Sequence, residues 1–145
     1  MSSAILFYGY NLGAPDDEGW AIKDEPDFEE PWFTWAQEAD EDYAEAMVRR
    51  LLESTGWEGD ELPDKAADLV ARRCHVRVIT CGHSNSLFYG LALEDTVHEA
   101  DDWTPKCVSP VTSCATPGPL TKALEALGMK PVQVNPSWIL APQEY

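Results

Sequence analysis

The period of apolar positions changes several times along the chain, and each change marks an element. Residues 4–10, AILFYGY, are apolar almost throughout, as in an interior strand covered on both faces. Asn11-Leu12-Gly13-Ala14-Pro15 ends that strand with turn chemistry, and Gly9 within it marks a bulge or a close backbone approach. Tyr43, Met47, Val48, Leu51, Leu52 and Thr55 then share one face at helical spacing. Acids crowd the start of that helix, Arg49 and Arg50 sit near its end, and Gly56 stands where a left-handed terminating residue belongs. A second helix is expected from Pro63 to Arg73, with a narrow stripe of Ala66, Leu69 and Val70.

The stretch 75–93, HVRVITCGHSNSLFYGLAL, is the one the chain is organised around. Val76, Val78 and Ile79 begin an apolar β-branched run. Residues 82–86 interrupt it with turn formers, and Leu87, Phe88, Tyr89, Leu91 and Leu93 resume it. This pattern predicts a central hairpin. Beyond Leu93 the chain turns polar, although alternation at Thr96, Val97 and His98 allows the strand to extend. Residues 105–119 read as a Pro, Ser and Thr-rich loop. A third helix follows from Pro119 to Leu127, with Leu120, Ala123, Leu124 and Leu127 on its apolar face and Gly128 at its end. Val132 and Val134 alternate with Gln133, Asn135-Pro136 breaks the run, and Ser137–Ala141 forms the last strand.

The resulting order, β-α-α-β-β-α-β, predicts an α+β fold. A mixed or antiparallel sheet of about four strands, with helices packed on one face, satisfies the two-layer rule. A ferredoxin-like arrangement is one candidate. At 145 residues the chain fits a single domain spanning 1–145.

Charge changes this picture. The chain has 26 acidic against 10 basic residues, a net charge of -16. Direct nucleic-acid binding needs a surplus of Lys and Arg and is not expected, nor is attraction to an anionic membrane. No stretch has the length of a membrane span, and residues 1–13 lack the basic start of a signal peptide. The expected location is cytoplasmic, so Cys74, Cys81, Cys107 and Cys114 are expected as thiols.

Residues 16–45 hold half of the carboxylates and a single basic residue, Lys23, interleaved with large aromatics. A disordered acidic tail would lack so many aromatics, so an ordered loop running into a helix is expected. Aromatic anchors ringed by carboxylates suit a basic partner protein: Trp20, Trp32, Trp35 and Tyr43 as anchors, with Asp16, Asp17, Glu18, Asp40 and Asp42 steering and orienting. Carboxylates held on a rigid surface would also imitate DNA phosphates. The competing account is an ordinary solvated acidic face with its aromatics turned inward.

Two chemical alternatives are open. Cys81 and His83 share a strand face and could hold zinc with further ligands from His98, Cys107, Cys114 or His75, although no C-x-x-C pair is present. Cys81 at a strand-to-turn junction could instead be a thiol nucleophile beside His83, the pair forming a small metal- or thiol-dependent enzyme. There is no phosphate-binding loop and no EF-hand spacing among the acids. The first expectation is therefore a protein without a cofactor.

The opening LFYGYNLG with Trp20, and the closing EALGMKP with WILA, resemble small hypothetical proteins of actinobacteria and their phages. The resemblance covers mainly the two ends and implies, by analogy, an immunity-like protein or phage accessory inhibitor. It brings no site residues. The expectation is a non-enzymatic acidic protein that binds, and thereby inhibits, a basic macromolecular partner.

Overall fold

A computed structural model of the chain describes residues 2–13, 43–83, 86–101, 118–128, 133 and 135–144. Asp16, Asp17, Glu18, Trp20, Trp32, Trp35, Asp40, Asp42, Cys107 and Cys114 lie outside the described residues.

The first strand, β1 (Ser2–Gly13), is the axis of the sheet. It runs past Asn11, where the sequence placed a turn, because residues 9–13 find a partner strand. Its alternation splits the fold: Ile5 and Phe7 are buried on one face, Tyr10 and Leu12 on the other. The helices α1 (Tyr43–Ser54) and α2 (Ala66–Cys74) lead to the expected hairpin. This hairpin is β2 (Val76–His83) and β3 (Ser86–Leu93), in antiparallel register from Val76 opposite Leu93 to His83 opposite Ser86. A 3-10 turn at Glu94–Thr96 connects β3 to β4 (His98–Asp101). Helix α3 (Gly118–Leu127) and strand β5 (Ser137–Glu144) follow.

The sheet is mixed and has five strands, β4 being the one added to the expected set. One edge of β1 pairs with β5 from Ser2 opposite Glu144 to Gly9 opposite Ser137. The other edge pairs first with β4, ending at Leu6 opposite His98, and then with β3, starting at Gly9 opposite Ala92. Three steps along β1 thus match six along its neighbour, and the 3-10 turn takes up the excess. The turn also satisfies the backbone it interrupts: Tyr8 N–H donates to Thr96 Oγ1 at 3.0 Å, and that hydroxyl donates to Leu93 O at 2.7 Å.

The strands close on themselves. β2 meets β5 through one parallel bridge, Gly82 opposite Gln143, supported by Gln143 Nε2 donating to Thr80 O at 3.0 Å. Gly82 has φ 98°, a conformation that side chains resist, so glycine lets β2 bend at the closure. Neighbours therefore run in a ring, β2–β3–β1–β5–β2, with β4 beyond it on β1. This curled sheet replaces the ferredoxin-like candidate, whose β-α-β-β-α-β chain order is also absent.

The helices pack on one face, as expected. Met47, Leu51 and Leu52 of α1, Val70 of α2, and Leu120 and Leu127 of α3 are fully buried against Leu12, Val76 and Leu91. Each such aliphatic side chain contributes about 1.5–3 kcal/mol of burial. Ala46 joins this face and Thr55 is exposed, because α1 stops at Ser54. Gly56 and Gly128 end α1 and α3 with φ 93° and 70°. α2 begins three residues later than expected and ends at His75, whose φ is 59°. The opposite face of the sheet gathers Ile5, Phe7, Ile79, Ala92 and Ala141, with Cys81, Val97 and Ile139 against them.

Candidate functional site

β2 and β5 lie side by side but share a single ladder bridge, Gly82 with Gln143. Beside this bridge lies a cavity of about 400 Å³, lined chiefly by Phe7, Cys81, Phe88, Ile139, Leu140 and Ala141. Register builds it in pairs: Cys81 lies opposite Phe88 across the hairpin, and Ile139 opposite Phe7 across β5 and β1. None of the described residues lining it carries a charge. Among the described residues, Phe88 and Leu140 are the large apolar side chains left exposed, at 38% and 73%, and both line this cavity.

Cys81, singled out from the sequence, stands in this wall as a free thiol. Its Sγ makes a weak contact to Phe88 O at 3.6 Å, and burial pushes the thiol pKa up. A raised pKa keeps it protonated at neutral pH and weighs against a thiolate nucleophile. His83 pairs through its backbone with Ser86 at the end of the hairpin. His98 is opposite Leu6 on β4, and His75 caps α2. Cys74 contacts Leu51 O at 3.9 Å, and burial raises its pKa too. Among the described residues, no three of His, Cys, Asp and Glu form a group that could hold a metal ion.

A second cavity, about 730 Å³, sits where the ends of α1 and α2 meet the start of α3. Arg73, His75 and Lys122 line it, together with Glu125. Arg73 donates to Thr55 Oγ1 at 3.2 Å, and Arg50 donates to Ala126 O at 3.4 Å. In the sequence Arg49 and Arg50 suit the dipole at the end of α1, but neither falls in its last turn, and Lys122 reaches this cavity only because α3 packs across the ends of α1 and α2. A third polar feature is structural. Arg77 Nε and NH2 each donate to Glu94 at 2.7 Å, tying β2 to the 3-10 turn, and the Glu94 hydrogen bonds hold the Arg77 pKa up.

No protein-family model, curated protein or solved structure matches the chain. No helix among the described residues is long and apolar enough to cross a membrane.

Proposed function

We propose that the protein is a cytoplasmic, non-enzymatic binding protein that holds and inhibits a basic macromolecular partner. The observation that carries this reading is where the charge lies along the chain. Residues 14–42 contain 12 of the 26 acidic residues and one of the 10 basic ones, so they carry -11 of the net -16. Three of the six tryptophans fall in the same segment. Carboxylates steer a basic protein into encounter, and tryptophans supply the desolvated contacts that hold it.

In this reading Trp20, Trp32 and Trp35 anchor the partner, and Asp16, Asp17, Glu18, Asp40 and Asp42 engage its Lys and Arg side chains. The rest of the chain supports the division of labour, since it carries only -5 and includes the cation-lined cavity at Arg73 and Lys122. An immunity-like role or a phage accessory inhibitor, with carboxylates standing in for phosphates, fits this chemistry. The protonated state favoured for Cys81 supports the binding reading over thiol catalysis.

Capture from lysate in a salt series, with wild type and charge-reversed variants side by side, tests the proposal. A partner that is basic, is lost as salt rises, and is lost again on Asp40→Lys with Asp42→Lys is the expected result. Capture that is indifferent to salt and to those reversals contradicts it.

A further inference from the structure

We infer that the cavity beside the bridge between β2 and β5 is a binding site for an uncharged, apolar small molecule. Four observations converge on it. The cavity has a topological cause: a ring of strands closed by one bridge, Gly82 with Gln143, leaves the edges of β2 and β5 without further ladder pairs alongside it. Its walls are underfilled, because Cys81, Gly82 and Ala141 put small groups where larger ones would close it. Its volume, about 400 Å³, falls within the range of small-ligand pockets. Finally, Phe88, one of the two large apolar side chains left exposed among the described residues, lies on the cavity wall across the hairpin from Cys81. Exposed apolar surface gathered at one concavity marks a place that binds apolar matter.

The ligand class follows from what the lining lacks. A carboxylate or ammonium taken into this cavity would lose its water and meet no described residue of opposite charge, which is costly. The net charge of -16 further disfavours an anion. A neutral molecule with a flat or branched hydrocarbon body fits the apolar lining at Phe88, Ile139 and Ala141. The test of this site does not depend on any partner.

The experiment is a methyl-detected NMR titration of the whole chain with 2-naphthylmethanol, and in parallel with 2-naphthoate, its charged counterpart. Saturable shifts at Ile139, Leu140 and Ala141 are expected with the alcohol, and binding about tenfold weaker or worse with the carboxylate. Phe88→Ala removes an exposed ring from the cavity wall, so the fold should survive, and affinity for the alcohol should fall about fivefold or more. Cys81→Leu, which fills the cavity, should also weaken binding and serves as the second variant. Equal binding of both probes overturns the inference, as do shifts centred elsewhere, no saturable binding, or unchanged affinity in a folded Phe88→Ala protein. Self-association abolished by Phe88→Ala, without binding of the alcohol, overturns it in favour of a second copy as occupant.

Discussion

The ring of Phe7 occupies the space that a side chain at residue 90 would take: a Cβ built on Gly90 would stand 2.8 Å from Phe7 Cζ. Phe7 is only 1% exposed and has little room to turn away. Gly90→Ala should therefore destabilise the protein by about 1–3 kcal/mol through overpacking, read as a lower urea midpoint. Adding Phe7→Leu should recover part of that loss. Gly9→Ala should be worse, since its Cβ would fall on the backbone oxygen of Leu91, which cannot move without parting β1 from β3. Equal stability of Gly9→Ala and wild type would mean that the two strands are not so closely apposed.

Thr96 stands in for a missing strand residue by accepting the Tyr8 N–H. Thr96→Val keeps the shape and removes the acceptor. It should cost about 1–3 kcal/mol by leaving that donor unpaired, while Thr96→Ser should stay close to wild type. A thermal melt of the three proteins checks the order, and hydrogen exchange at the Tyr8 amide should quicken in the valine variant.

The Arg77–Glu94 pair is about one-third exposed at each partner, so solvent screens it despite its two short bonds. A double-mutant cycle with Arg77→Met and Glu94→Gln should give a coupling of about 1 kcal/mol or less, shrinking as salt is added. A coupling of several kcal/mol would show that the pair is effectively dry.

Burial raises the thiol pKa of Cys81 and of Cys74 above the ordinary value of 9.0, so each folded thiol resists ionisation more than the unfolded one. A folded pKa above the unfolded one gives stability that is fully present below the unfolded value and is lost as pH rises through the folded value. Stability should therefore decline on the alkaline side, and Cys81→Ala should flatten part of that decline. Iodoacetamide labelling followed by mass spectrometry should show Cys81 reacting more slowly in the native protein than in urea. Rapid native labelling of Cys81 at neutral pH would revive the nucleophile reading.

Much of this architecture was legible in the sequence because it is set by local periodicity. The hairpin, the helical stripes at Met47 and Leu51 and at Leu120 and Leu127, and the helix ends at Gly56 and Gly128 all follow from neighbours within a few residues. Strand β4 was not, since His98–Asp101 is polar and is a strand only because Ser3–Leu6 pairs with it. The curl was hidden too, as it depends on Gly82 meeting Gln143 across a long stretch of chain. The same distance effect hid the apolar cavity. Cys81 stood out beside His83 for its chemistry, whereas its place in the wall depends on Ile139 and Ala141. The exposure of Phe88 and Leu140 leaves no mark in an apolar run. Tyr8 and Trp138 likewise meet edge-on, with ring centres 5.5 Å apart, only through the β1–β5 register.

The most direct test of the proposed function compares one identified partner's affinity for three proteins across a salt series. They are wild type, the acidic-segment reversal Asp16→Lys/Asp17→Lys/Asp40→Lys/Asp42→Lys, and the body reversal Arg73→Glu/Lys122→Glu. Affinity should fall steeply with salt for wild type, be largely abolished in the first variant, and be unchanged or increased in the second. If the acidic-segment variant binds as tightly as wild type, or if the body reversal is the one that destroys binding, residues 14–42 are not the binding element and the proposed function fails.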